Sequence, residues 1–307
     1  MNSFPFAVDK KTKLSLLKGL DKNEEHLEEC VECIKTWFES QPHLPELPCK
    51  NMIEFFIFTT RFDIKSAQEK LDNYYTLRSS LTKVFQYANP SSHAMKAAVD
   101  CAYLVPLPNL VNDKNGVIVI RELPHVPSGF DGNWWLGAVM NIFEVRMQEG
   151  AHTTGNILLY DHQHLCMKHV FHVTPTFIMN LIKLAEQVLD NNIIEWHFIN
   201  SPPIIEVILK VCKAFMKPDL YSRLRYHQKL DTLTDYIPHE VLPKDFGGKE
   251  RPLDELRELW LKKLEEHQPY FNRLGSLKVD ESRRPKAENA PTGIQAMFNN
   301  INSLLFK

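Results

Sequence analysis

The side chains with the most chemical reach stand together at Asp161, His162, His164, Cys166, His169 and His172. Imidazoles, a thiol and a carboxylate at this density are the donor set of a transition-metal site, which needs several of them converging, each held by a partner behind it. The spacing lacks what such sites use, because there is neither an HExxH helix nor a pair of CxxC elements. The segment follows a strand, as a surface loop would, so solvated or core-packed histidines are expected and no metal is assigned. Cys30 and Cys33 have CxxC spacing but fall within a helical pattern. A redox CxxC is expected beside a βαβ unit, so an ordinary helix with one buried cysteine is the expectation here. No GxSxG elbow, glycine-rich phosphate cradle or Cys–His–acid arrangement stands out, so no catalytic residue and no cofactor is assigned.

These residues hang on a strand–helix–strand pattern over 155–203 and on the helix after it. Segments 156–160 and 195–199 are brief, mostly apolar runs, as parallel strands buried on both faces read. Between them, 174–189 carries Phe177, Ile178, Leu181, Leu184, Ala185 and Val188 at helical spacing. A strand, a crossover of this length and a second strand make a right-handed βαβ unit. After Asn200-Ser201-Pro202-Pro203 comes 204–216, with Ile204, Ile208, Val211 and Phe215 on one face and Ile205, Leu209 and Met216 widening it. A helix that apolar at the carboxyl end of a strand covers either a core or an apolar ligand, and periodicity by itself favours the core.

Upstream, 9–90 reads as helices, among them 22–40, 50–62 and 64–79, the last behind Asp63 as N-cap. Residues 113–116 are a turn signal, 117–120 a buried strand, and 131–150 a helix carrying Trp134, Trp135, Ala138, Val139, Ile142 and Phe143. Residues 223–227 fit a further strand without requiring one, and 254–267 reads as an amphipathic helix. The polar stretch 282–293 is expected to be mobile. The layout is mixed α/β: a helical domain at 1–90, an α/β domain at 91–250, and a C-terminal helix and tail at 251–307. A chain of 307 residues with 44% hydrophobic and 24% charged residues is ordinary for a globular protein. A net charge of −2 gives no global reason to bind nucleic acid. The N-terminus lacks a secretory signal pattern, no window offers 18 uninterrupted apolar residues, and the six cysteines are scattered, so the expected home is a reducing cytosol.

Pieces of the chain have a familiar order and spacing: FIFTTRFDIKSAQEKLDNYYTLR (56–78), DKNGVIVIREL (113–123), GNILLYD (155–161), WHFINSPP (196–203), KAFMKPDLYSRLRYH (213–227) and LTDYIPHEVLPKDFGG (233–248). Together they resemble the CRAL-TRIO lipid-transfer family, in its branch around alpha-tocopherol transfer protein and cellular retinaldehyde-binding protein. The tail NRLGSLKVDESRRP (272–285) resembles the ending of insect members. The resemblance implies an N-terminal helical bundle and a mostly parallel sheet that, with its helices, encloses an apolar cavity closed by a mobile gate helix. Here the gate would be 203–216, contributing Ile204, Ile205, Ile208, Leu209, Phe215 and Met216. Matching the branch position by position gives Ile120, Trp135, Ala138, Ile142, Tyr160 and Met167 as wall residues, then Leu181, Leu184, Leu189, Ile193, Ile208 and Val211. Two hydroxyl positions of the branch become Ala138 and Ile142, so ligand identity does not carry across. The head-group chemistry depends on where Tyr160 and His197 sit.

The implied activity is that of a non-catalytic, monomeric carrier in the cytoplasm, peripheral at membranes. It would hold one tocopherol, retinoid, carotenoid or similar terpenoid and move it between membranes by opening the gate. An enzyme acting on lipids ranks last. The alternative is a phosphoinositide-responsive membrane adaptor with a secondary lipid pocket. Members of this branch often carry basic residues for phosphatidylinositol bisphosphate, but the matching positions here are Phe58, Thr60, Asn192, Ile194 and Asp219. Only Arg223 stays basic, and Lys217 and Arg61 are the nearby candidates for a smaller contact.

Overall fold

Helix starts in the first hundred residues are set by side-chain caps. Asn23 accepts the His26 N–H (2.8 Å), Asp63 the Ser66 N–H (3.1 Å) and Ser92 the Met95 N–H (3.2 Å). These open α2 (Glu24–Glu39), α4 (Ile64–Ser80) and α6 (His93–Cys101), with α1 (Lys10–Gly19), α3 (Lys50–Thr59) and α5 (Thr82–Phe85) between them. Helix α3 stops short of the expected 50–62, because Arg61 and Phe62 take φ of 52° and 66° and turn the chain toward Asp63. The computed structural model describes residues 10–189, 193–214 and 216–285, leaving out the side chains of Val211 and Cys212. Most of the polar stretch 282–293 and the gate residue Phe215 therefore lie outside the described residues.

Five strands form one sheet in chain order. β1 (Ala102–Pro106) is antiparallel to β2 (Asn115–Glu122), and β3 (Gly155–Asp161), β4 (Ile193–Ile199) and β5 (Leu224–Tyr226) follow in parallel. The edge strand β1 had no sequence expectation. Its AYLVP run is short and ends in proline, which suits an edge and hides the strand from a periodicity test. Parallel strands added in one direction through right-handed crossovers place every crossover on the same face. These are α7 (Asn133–Glu149), the pair α8 (Met167–Val170) and α9 (Pro175–Gln187), and α10 (Ile204–Lys213) with α11 (Pro218–Ser222). Gly150, in the left-handed region at φ 68°, ends α7 just before β3.

The other face of the sheet is covered by later chain. The Arg121 guanidinium lies 5.0 Å from the Phe246 ring centre, and His197 meets Tyr236 at 4.9 Å. Helix α12 (Leu253–Glu266) packs on β1. Buried apolar side chains run as one cluster from Leu16 to Leu274, through the sheet and the N-terminal helices. At its centre the buried Glu144 of α7 accepts hydrogen bonds from Tyr74 (2.8 and 2.9 Å), Arg78 (2.7 Å) and Tyr270 (2.7 Å). Burial and the Glu144 charge hold both phenols above their ordinary pKa, so they remain donors. This joint ties α4 and α13 (Gln268–Leu274) to α7.

Candidate ligand cavity

Side chains alternate across a strand, so every second residue of β1 to β4 faces the crossover helices. Registry lines up Leu104, Ile120, Tyr160 and Phe198 as one row across the sheet. The rings continue sideways: Tyr160 stacks on Phe198 at 5.2 Å and on Trp196 at 6.2 Å. This floor and the helices above it enclose a cavity of about 130 Å³. Helix α7 contributes Trp135, Leu136 and Val139, and α10 contributes Ile205, Ile208 and Leu209, with Met216 beyond it. From α9 come Phe177, Ile178, Leu181, Ile182 and Ala185, a stripe at helical spacing. Asn180 of α9 donates to Asn133 Oδ1 at the start of α7 (2.8 Å), which fixes two walls against each other. An apolar space of this order binds an apolar molecule in preference to water.

The sequence candidates divide. Ile120, Trp135, Tyr160, Leu181 and Ile208 line the cavity, as do Ile205, Leu209 and Met216 of the expected gate, while Ile204 does not. Ala138 faces a different cleft, beside Trp260 and Leu264. Ile142, Leu184, Leu189 and Ile193 are buried in packing elsewhere. Met167 is 54% exposed on the short helix α8, pointing away from the cavity. The side chain of Val211 lies outside the described residues. The wall from Leu165 through Phe177 was missed, and the signal for it was the apolar Val170 and Val173 just before the α9 stripe.

The histidine-rich segment is taken apart by the strand it follows. Among the described residues, no group of three or more potential ligands is placed to hold a metal. Asp161 sits under the sheet, accepting from Arg121 (2.6 Å) and Asn200 (2.7 Å), and so pins the turn that leads into α10. Asn200 adopts φ 53° in that turn. The buried His169 donates to Leu123 O (2.9 Å), accepts the Cys166 N–H (3.1 Å) and stacks on Trp135. Both its nitrogens are spent on structure, and burial lowers its pKa. Cys30 and Cys33 are free thiols on α2, one buried and one exposed. His197 faces the opposite side of the sheet, against His227 (2.7 Å) and Glu195 (3.1 Å).

At the carboxyl ends of β2 and β3 the cavity turns polar. Glu122 and His162 both line it, 7% and 6% exposed. Burial pushes the Glu122 carboxyl up to about 8, with the Asp161 charge adding to the effect, and pushes His162 down to about 4. Both groups are thus mainly neutral at pH 7. The raised carboxyl has a consequence for stability. Between the ordinary carboxyl range and about 8 the folded state holds a proton that the unfolded chain has lost, so rising pH costs stability across that window. The slope limit is ~1.4 kcal/mol per pH unit. Glu122→Gln is expected to remove that dependence. Its advantage over the parent in urea midpoint should be larger at pH 8.5 than at pH 5.5, and an equal difference at both would contradict the buried neutral carboxyl.

The basic candidates lie apart from this cavity. Arg61 and Arg223 share a surface cleft with Thr59, Thr60 and Ile194. The Arg223 guanidinium is engaged with Ile193 O (2.6 Å) and with Asp219, and Lys217 is exposed.

Comparison with known proteins follows this geometry. Residues 133–248 match the family model described as CRAL/TRIO domain, and residues 23–95 match one described as Pinta-like, UBA domain. Alpha-tocopherol transfer protein-like from Mus musculus is 28% identical over 203 residues, which is 65% of this chain and 58% of the relative. The Homo sapiens protein of that name matches to the same extent. Clavesin-2 from Homo sapiens is 22% identical over 252 residues, 81% of this chain and 76% of its own. The match thus spans little more than half the length of the first of these relatives. Among solved structures, Sfh5 matches with a TM-score of 0.41 and 11% identity, over 86% of this chain and 100% of its own.

Proposed function

Since this chain is a member of the CRAL-TRIO family, we propose that it carries one small hydrophobic molecule, of tocopherol, retinoid, carotenoid or similar terpenoid type, between membranes. The observation that carries the reading is an apolar cavity roofed by a single surface helix, α10. Enclosing ~500 Å² of lipid surface, for which the 130 Å³ space must widen as α10 moves outward, is worth about 12 kcal/mol before ordering, association and wall-displacement costs, at roughly 25 cal/mol per Å². That leaves room for tight yet reversible binding. The inner face of α10 (Ile205, Ile208, Leu209) lines the cavity while Glu206 and Lys210 are exposed, so the helix can swing out with its charged side chains already in water. The opening is the gate step, and the reading takes the carrier as a monomer.

Met167 and Phe171 (73% exposed) project outward beside the wall residue Val170, and Val207 is 54% exposed next to Ile208. Large apolar side chains at the rim of an apolar cavity favour contact with a bilayer interface, where α10 would open. The double variant Met167→Ser, Phe171→Ser is expected to lower partitioning onto phosphatidylcholine vesicles at least tenfold, since each side chain contributes roughly 1.5–3 kcal/mol when buried. Unchanged sedimentation with vesicles would contradict that docking face.

Transfer of a fluorescent tocopherol between donor and acceptor vesicles, with and without phosphatidylinositol bisphosphate, tests the function. Transfer independent of the phosphoinositide supports the carrier. Headgroup-dependent recruitment without delivery would favour the adaptor, for which the shared cleft of Arg61 and Arg223 is the supporting feature.

A further inference from the structure

The polar end of the cavity is an unfinished hydrogen-bonding pair. Glu122 reaches the cavity from the last position of β2, opposite Ala102 of β1, and its Oε2 is buried with no partner. His162, just past β3, has Nε2 3.8 Å from Glu122 Oε1, beyond hydrogen-bond range. The other ring nitrogen, Nδ1, lies 2.8 Å from Ser201 Oγ, and that hydroxyl is directed at Ile199 O (3.5 Å). This network assigns the ring proton to Nδ1, donating to Ser201, and leaves Nε2 as a bare acceptor toward Glu122. A protonated Glu122 is then a donor and His162 an acceptor, each facing a gap. The other polar atoms of the lining are the nitrogens of His169, which are already used, the Tyr160 hydroxyl, and the indole N–H groups of Trp135 and Trp196, which can donate but cannot accept.

An unpaired buried polar group is costly unless a partner arrives with the ligand. The nearer Glu122 oxygen, Oε1, is 3.8 Å from His162 Nε2, a gap that one oxygen about 2.8 Å from each group can bridge. A hydroxyl both accepts and donates, so it satisfies both sides. A carbonyl or ether oxygen satisfies Glu122 alone, and a hydrocarbon end satisfies neither. Resting on the carrier reading, we infer that Glu122 and His162 are the specificity-determining pair of this cavity, selecting a terpenoid that ends in a free hydroxyl and bridging it between the Glu122 carboxyl and His162 Nε2. The placement at the carboxyl ends of two parallel strands is where α/β sheets hold their ligands.

The test is a cycle of two ligands against two proteins, which cancels the different aqueous solubilities of the ligands. All-trans-retinol and its deoxy hydrocarbon, axerophthene, are titrated into lipid-free parent protein and Glu122→Met, with a second pair, phytol and phytane, read by displacement of a fluorescent retinoid or fatty acid. Melting curves check that each variant folds. The alcohol-to-hydrocarbon affinity ratio is expected to fall by ten- to a hundredfold in Glu122→Met, the loss on orphaning one buried polar group. His162→Phe should lower it in the same direction, and Glu122→Gln, which keeps a donor, should restore most of it. Ratios equal in parent and Glu122→Met, with measurable binding of the probes, would overturn the pair and leave the carrier standing. No binding of any of these ligands by the parent would overturn the carrier reading itself, and this inference with it.

Discussion

Ile208→Asp is expected to weaken binding of all-trans-retinol or alpha-tocopherol at least a hundredfold while the protein still folds. Ile208 is half-buried on the cavity side of α10, one turn from Ile205 and next to Leu209. A carboxylate there would face a lining that, among the described residues, holds no lysine or arginine, and whose histidines are kept neutral by burial or by structural hydrogen bonds. Burying a charge without a partner costs several kcal/mol, so the group either blocks the ligand or pulls α10 away from the sheet. The fold survives because the rest of α10 is exposed at Glu206, Val207 and Lys210, so the new charge can turn toward water in the empty protein. Ile208→Val, which keeps the apolar wall, should bind within a few-fold of the parent. Unchanged affinity in Ile208→Asp, with a normal melting curve, would remove α10 from the account.

Glu144→Ala carries the largest expected cost in stability, about 3–5 kcal/mol, the usual range when one member of a buried charged network is removed. The deletion leaves the Arg78 guanidinium nearly buried with its carboxylate gone, and strips two phenols of their acceptor. The loss is felt at the cavity as well, because Glu144 lies on the same helix as Trp135, Leu136 and Val139 and ties that helix to α4 and α13. Urea unfolding measures it directly. A loss below about 1 kcal/mol, the range of exposed ion pairs, would mean that the network is solvated rather than buried.

Local rules carried the sequence reading far. The βαβ unit over 155–203 was legible because strand runs, helical apolar spacing and turn residues agree; the structure adds that Thr174 caps α9 by accepting the Phe177 N–H at 3.2 Å. Residue Asp63 was readable as a cap for the same reason. The cavity was legible only where one face of an element is apolar, as in α9 and α10. Helix α7 is apolar on nearly every side, since it packs against α3, α5, α6 and the sheet at once. Periodicity therefore could not separate Trp135 and Val139, which line the cavity, from Ala138 and Ile142, which do not. The polar pair was invisible for a different reason. Glu122 and His162 are forty positions apart and meet only through the register of β2 with β3, which no single-strand pattern encodes. The histidine cluster, dense in sequence, is dispersed in space because alternation sends Asp161 and His162 to opposite faces of the sheet.

Intrinsic tryptophan fluorescence tests the central claim most directly, because Trp135 and Trp196 both line the cavity. Protein shown by solvent extraction to be lipid-free would be titrated with alpha-tocopherol, all-trans-retinal, a carotenoid, cholesterol and phosphatidylinositol. Saturable one-to-one quenching by one or two of these is the predicted result. Flat traces across the whole panel would contradict a ligand-carrying cavity.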